Sequence, residues 1–174
     1  MIKKLILITF TFLLFFNSAK PSDLKIVYLD VDKIVNQSIA GKDITDQLKK
    51  LYENNIKKFN EIKKKLSEEE KDILKKKNIL SKEEFNKNVK ILQENLNNFK
   101  KEINASRREI DKKKIQATTK LVSVLNKILG EYSAKHSITL VIQKKNIIIG
   151  KSELDITSQI LELLNAEIKN IKMK

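Results

Sequence analysis

The chain has 174 residues, with 36 Lys+Arg against 22 Asp+Glu for a net charge of +14, one His, no Cys, no Trp, 3 Gly and 1 Pro. That length allows one ordinary domain, and zero Cys with a lone His136 excludes disulfide frameworks, thiol catalysis and Cys-based or multi-histidine metal sites. From Lys42 to Leu129 there are 88 residues without Gly or Pro, which argues against turn-rich sandwiches, barrels and nucleotide-binding α/β domains and for an elongated, mainly helical protein.

At the N-terminus, Lys3 and Lys4 precede an apolar run from Leu5 to Phe16 and the small polar stretch Asn17-Ser18-Ala19. This is the order of a secretory signal, and cleavage is expected after Ala19. The run is too short for a membrane-spanning helix, which needs about 20 residues. Losing residues 1–19 removes two lysines and no acids, so the mature chain carries +12.

Leu24 to Val31 is rich in β-branched and aromatic residues and is bounded by Pro21-Ser22-Asp23 and Asp32, which predicts a strand. Asp32 is placed as the N-cap of a short helical turn through Asn36. Ser38 to Gly41 breaks that turn, and a long helix starts near Gly41 or Lys42. In it, Tyr52, Phe59, Leu66 and Ile73 recur every seven residues, with Leu48 and Ile62 interleaved, as in a heptad seam. A second seam comes next: Phe85, Val89, Leu92, Leu96, Phe99, Ile103 and Ile110. Ser81 with Glu84 forms a capping box that announces a new helix. The reading is an antiparallel helical hairpin with its tip near 77–81, or with an earlier break or kink at Ser67 and Glu70.

The second arm is predicted to end near Leu129 with Gly130 as its C-terminal cap. Ile138 to Ile142 and Ile147 to Ile149 read as a β-hairpin whose turn uses Asn146 or its neighbours. Asp155 is placed as the cap of a last helix whose apolar side is Ile156, Ile160, Leu163, Leu164, Ile168 and Ile171. The fold class is therefore mainly α with a small β body (α+β), residues 42–129 forming an arm and residues 20–41 and 130–174 forming the body. A body of three short strands and one helix buries little on its own, so it is expected to oligomerise.

Catalytic chemistry is absent from these patterns. Gly41-Lys42 fails as a phosphate loop because position 36 is Asn and position 43 is Asp. Asp30 and Asp32 serve as a strand-end acid and a helix cap. No enzyme activity, metal or cofactor is expected. The charge is more informative: residues 42–129 hold 24 basic and 14 acidic side chains, a net +10. A basic stripe on helices suits an anionic lipid, an acidic partner or nucleic acid. The export signal, the lack of any zinc-finger or basic-zipper layout and the presence of only two Arg argue against nucleic acid.

The opening strand Lys25-Ile-Val-Tyr-Leu-Asp-Val-Asp-Lys-Ile34, the Ser38-Ile-Ala-Gly-Lys42 turn, the charged hairpin, and the closing Ile138-Thr-Leu-Val-Ile142 with Asp155-Ile-Thr157 together resemble the Skp/OmpH family of periplasmic chaperones. The resemblance implies a homotrimer whose strands join in a small β body, with Ile26, Tyr28, Ile138, Leu140 and Ile142 as its apolar strand positions, and three hairpins extending around a cavity. It implies ATP-independent holding of unfolded outer-membrane proteins in the periplasm. It also implies a basic site for lipopolysaccharide or anionic lipid on the arms, carried over to Arg107 and Arg108 with Lys112 and Lys113 beside them. A second class, a structural or adaptor coiled-coil protein of the cell envelope, would use the same seams for one dedicated partner.

Overall fold

The structure, a computed structural model, describes residues 24–173; the predicted export signal at 1–19 lies outside the described residues. The elements are β1 (Ile26–Leu29), α1 (Val31–Gln37), α2 (Ile39–Lys75), α3 (Lys82–Lys135), β2 (Leu140–Gln143), two 3₁₀ turns at Lys144–Asn146 and Ser152–Leu154, and α4 (Thr157–Glu167). This is the expected mainly helical α+β chain, with several local differences.

The strands differ first. Among the described residues β1 and β2 form a two-stranded parallel sheet, with Ile26 opposite Leu140 and Leu29 opposite Gln143. Ile147 to Ile149 does not return as a strand, so the predicted β-hairpin does not form and the sheet has two strands rather than three. Parallel pairing needs a long crossover, and here the whole helical arm supplies it. A single isolated bridge, Tyr28 to Asp155, extends the sheet on one side.

The caps also shift. Asp30, not Asp32, caps α1, its Oδ1 accepting from the Lys33 N–H at 2.8 Å, while Asp32 sits in the first turn where its charge meets the helix dipole. Ser38 alone separates α1 from α2: its Oγ accepts from Gly41 N–H at 3.0 Å, and the Asn165 side chain accepts from Ile39 N–H at 2.8 Å. Gly41 is required there because a Cβ would lie 1.7 Å from the Val35 carbonyl oxygen. The α4 cap position is Ile156, without a side-chain bond of its own, and Asp155 instead accepts from Thr157 N–H at 2.9 Å.

Gly130 is no cap. α3 runs through it to Lys135 and ends in a Schellman motif, with Ile138 N–H donating to Ser133 O at 2.9 Å and Ser137 in the left-handed region at φ 52°. The arm helix is therefore longer than predicted, and its last third belongs to the body. Ala117, Leu121, Leu125 and Ile128, spaced by four, four and three, pack against Val27, Leu29, Ile34, Ile160 and Leu164. Each fully buried Leu or Ile there contributes about 1.5–3 kcal/mol of apolar burial.

Candidate functional site

The arm is built from α2 and α3, joined by the turn at 76–81. Helix starts and stops are encoded locally: Ser81 Oγ accepts from Glu84 N–H at 3.2 Å and Glu84 Oε2 accepts from Ser81 N–H at 3.1 Å, the complete capping box. The Ser81 hydroxyl, which also donates to Glu84 Oε2 at 2.8 Å, and then the Ser81 N–H hold the Glu84 carboxyl below the usual carboxylate range. The turn between the arm helices lies at 76–81, and α2 passes through Ser67 without a break.

The two arm helices run antiparallel. Asn55 Nδ2 donates to Ser106 Oγ, Lys58 pairs with Glu102, and the Phe59 and Phe99 rings meet edge to face at 6.0 Å. The seam is narrow: along α2 and α3 beyond the body, Ile73, Leu92 and Ile110 are buried, and Phe59, Leu66, Phe85 and Val89 are half-buried. Tyr52 leaves the predicted seam, being 44% exposed, and the half-buried Leu51 and Asn55 take the inner positions. At 1.5 Å per residue the roughly 35 residues of α3 before Ala117 carry the arm about 50 Å beyond the core.

Two surfaces result. On the arm, Tyr52, Ile56, Ile91 and Ile115 stand exposed among the lysines, with Leu74 and Ile79 exposed near the tip. Arg107, Arg108 and Lys112 are exposed and Lys113 is half-buried, paired with Glu109 at 3.2 Å. Adjacent helical residues diverge by about 100°, so Arg107 and Arg108 face different directions, while Arg108 and Lys112, four apart, share one face. The four side chains do not converge on one cavity.

On the body, the sheet has an inner and an outer face. Val27, Leu29 and Val141 turn inward. By the alternation of strands, Ile26, Tyr28, Leu140 and Ile142 share the outer face. Ile26 is 40% and Leu140 49% exposed, whereas Tyr28 is buried beneath the loop after β2, its OH donating to Lys151 O at 3.1 Å. Ile138, just before β2, packs on the core. Ile148 and Ile149, expected in a strand, are 99% and 91% exposed.

Asp155 anchors that loop. Lys144 Nζ donates to it at 2.8 Å, and Thr157 donates from both its N–H and its hydroxyl. Burial pushes the Asp155 carboxyl up, but these hydrogen bonds outweigh it and hold the group below its usual range; the same bond raises Lys144. This cluster, which the sequence suggests is a simple cap, fastens the loop to the sheet. No group of three or more His, Cys, Asp or Glu placed to hold a metal occurs among the described residues, nor any helix long and apolar enough to cross a membrane.

A small α+β body with a long two-helix arm raised on it defines the class, an α+β protein of body and projecting helical hairpin. The family model described as outer membrane protein (OmpH-like) matches residues 25–164, and the chain belongs to that family. A crystal structure described as an OmpH-like outer membrane chaperone from Caulobacter crescentus CB15 is similar with a TM-score of 0.81 at 17% identity, covering 91% of this chain and 94% of that one. No curated protein matches the chain.

Proposed function

We propose that the protein is an ATP-independent holdase of the periplasm that binds unfolded outer-membrane proteins and prevents their aggregation. The observation that carries this reading is the arm: about 50 Å of paired helix beyond the core, exposing Tyr52, Ile56, Ile91 and Ile115 among basic side chains. Scattered apolar contacts on a charged rod are individually weak, and several of them engaging one unfolded chain give avidity without a deep pocket. Preferential binding of the unfolded state lowers its free concentration by mass action. The net +10 of residues 42–129 steers an acidic chain or another anionic partner, including a lipid surface near Arg107, Arg108 and Lys112.

The outer face of the sheet supports a homotrimeric body, since Ile26 and Leu140 stand side by side and exposed in a single chain. Leu140→Asp would set a charge into that shared core. Native mass measurement is expected to show a trimer for the parent and smaller species for the variant; a monomeric parent contradicts the assembly.

The functional test is light scattering of an unfolded β-barrel protein diluted from denaturant. The parent is expected to suppress aggregation without nucleotide. Reversal of Lys63, Lys64, Lys75, Lys76, Lys112 and Lys113 to Glu is expected to slow capture of an acidic client while helicity is kept, and added salt to slow capture by the parent. Saturable binding to one folded envelope protein, with no suppression of aggregation, favours the adaptor reading instead.

A further inference from the structure

The family match ends at residue 164, yet the chain continues, and the segment beyond α4 is packed into the body. Ile171 is only 2% exposed and belongs to the core cluster although no helix or strand contains it. Its backbone is held by two side chains one turn apart on α2. Ile171 N–H donates to Asp43 Oδ2 at 3.3 Å, Gln47 Nε2 donates to Ile171 O at 2.9 Å, and Met173 N–H donates to Gln47 Oε1 at 3.2 Å. Asp43 in turn accepts from Gln47 Nε2 at 2.7 Å, which fixes the amide.

A carbonyl at one residue and an N–H two residues on are the pair that one edge of an extended strand presents. The Gln47 amide therefore reads backbone, not side chains, while the socket filled by Ile171 reads one apolar side chain. Together they make a short groove for an extended peptide at the root of the arm, of the kind that gains affinity from main-chain bonds and specificity from a pocket. The chain's own tail is an imperfect occupant. Lys172 lines the same cleft as Lys113 and Lys120 of α3, and that cleft stays open between strap and helix. Lys113 is paired with Glu109, and the other two cations around the opening, Lys120 and Lys172, repel.

We propose that residues 169–173 are a self-ligand in an extended-peptide groove, and that an unfolded segment with a buried Ile-type side chain flanked by acids takes the same seat when the strap leaves. This rests on the reading of the protein as a holder of unfolded chains, and it adds a site at the arm root to the diffuse arm surface. An occupied groove lowers the apparent affinity for an incoming segment by the fraction of time it is free.

The test uses the full-length chain and two peptides, Asp-Asn-Ile-Glu-Met-Glu and its control with Asp in place of Ile. Ile171→Asp, which evicts the strap's anchor, is expected to bind the first peptide at least tenfold more tightly than the parent, and Ile171→Ala to fall between them should the Asp variant fold poorly. Adding Gln47→Ala to either variant removes the gain, and the control peptide shows none. Because the sequence has no Cys, a fluorophore on Lys174→Cys reports the strap alone, and its anisotropy is expected to fall as the first peptide is added. Equal binding by parent and Ile171 variants, or a gain that survives Gln47→Ala, overturns the groove. Equal peptide binding by a parent that still suppresses client aggregation removes the groove and leaves the chaperone reading standing; a Gln47-dependent gain without any suppression of aggregation supports the groove and removes the chaperone reading.

Discussion

The body and the arm of this chain are held by different amounts of buried surface, although one helix, α3, runs through both. Leu29, Ile34, Leu121, Leu125, Ile160 and Leu164, all fully buried, lie in the body. The arm has a one-sided seam in which most apolar side chains remain half-buried, with the exposed remainder turned to solvent. Stability should therefore be graded along α3, highest near Leu125 and lowest toward the tip. A firmly packed root with a loosely held rod is the arrangement that the proposed holding of unfolded chains would use.

The largest expected effect that tests this gradient is Leu125→Ala. Its side chain is 1% exposed, so the lost packing and the cavity should cost about 2–5 kcal/mol and lower the thermal midpoint of the whole protein. Phe99→Ala in the arm removes a half-buried ring from its edge-to-face pair with Phe59. It is expected to cost less and to fray the arm without moving the midpoint of the body. Equal global losses from both, measured by circular dichroism during heating, would erase the distinction.

Gly41→Ala comes next. The added methyl meets the Val35 carbonyl oxygen at the joint between α1 and α2, and such overpacking costs about 1–3 kcal/mol. Farther along, the chain carries glycine where none is required and serine where glycine is favoured. A Cβ on Gly130 meets nothing within 4 Å, while Ser137 holds the left-handed position of the Schellman motif. Gly130→Ala and Ser137→Gly should each stabilise the root by about 0.5–1 kcal/mol, and differential scanning calorimetry should show both midpoints rising.

The smallest effect is acid-dependent. Asp155 has its folded pKa lowered, so its contribution is complete above the unfolded value near 3.9 and is lost as pH falls through the folded value. Lys144 has its folded pKa raised, so its share is present below about 10.4 and lost as pH rises through the folded value. Asp155→Asn is therefore expected to lower the midpoint at pH 7 and to flatten its decline below about pH 4, relative to the parent. Unchanged curves would mean that the Lys144 and Thr157 contacts do not fasten the loop.

The hairpin is legible in the sequence because its information is local: apolar residues spaced by three and four, and a Ser81 and Glu84 pair that satisfies its own backbone. The sheet is not, because the parallel pairing of Ile26 with Leu140 joins segments separated by the entire arm. Tyr52 misleads because Leu51 and Tyr52 are both apolar neighbours, and the inner position after them is the polar Asn55, which bonds Ser106 across the seam. A polar partner of that kind gives no hydrophobic signal, yet it fixes register. Ile147 to Ile149 read as a strand from composition, but a strand requires a partner edge, and a single chain offers Ile148 and Ile149 none. Likewise Gly130 looks like a helix stop, whereas the stop is set by the backbone bonds around Ser137. Among the proposed contact residues, the spacing of Arg108 and Lys112 puts them on one face; nothing in the spacing indicates that Lys113 pairs with Glu109.

Amide hydrogen exchange, with and without an unfolded β-barrel protein, tests the central claim most directly. In the free protein, amides of residues 117–128 are expected to exchange most slowly and those of 52–110 faster. Client should then protect 52–110 while leaving 117–128 unchanged. Client-induced protection confined to the body, or none in the arms while aggregation is suppressed, would contradict the account.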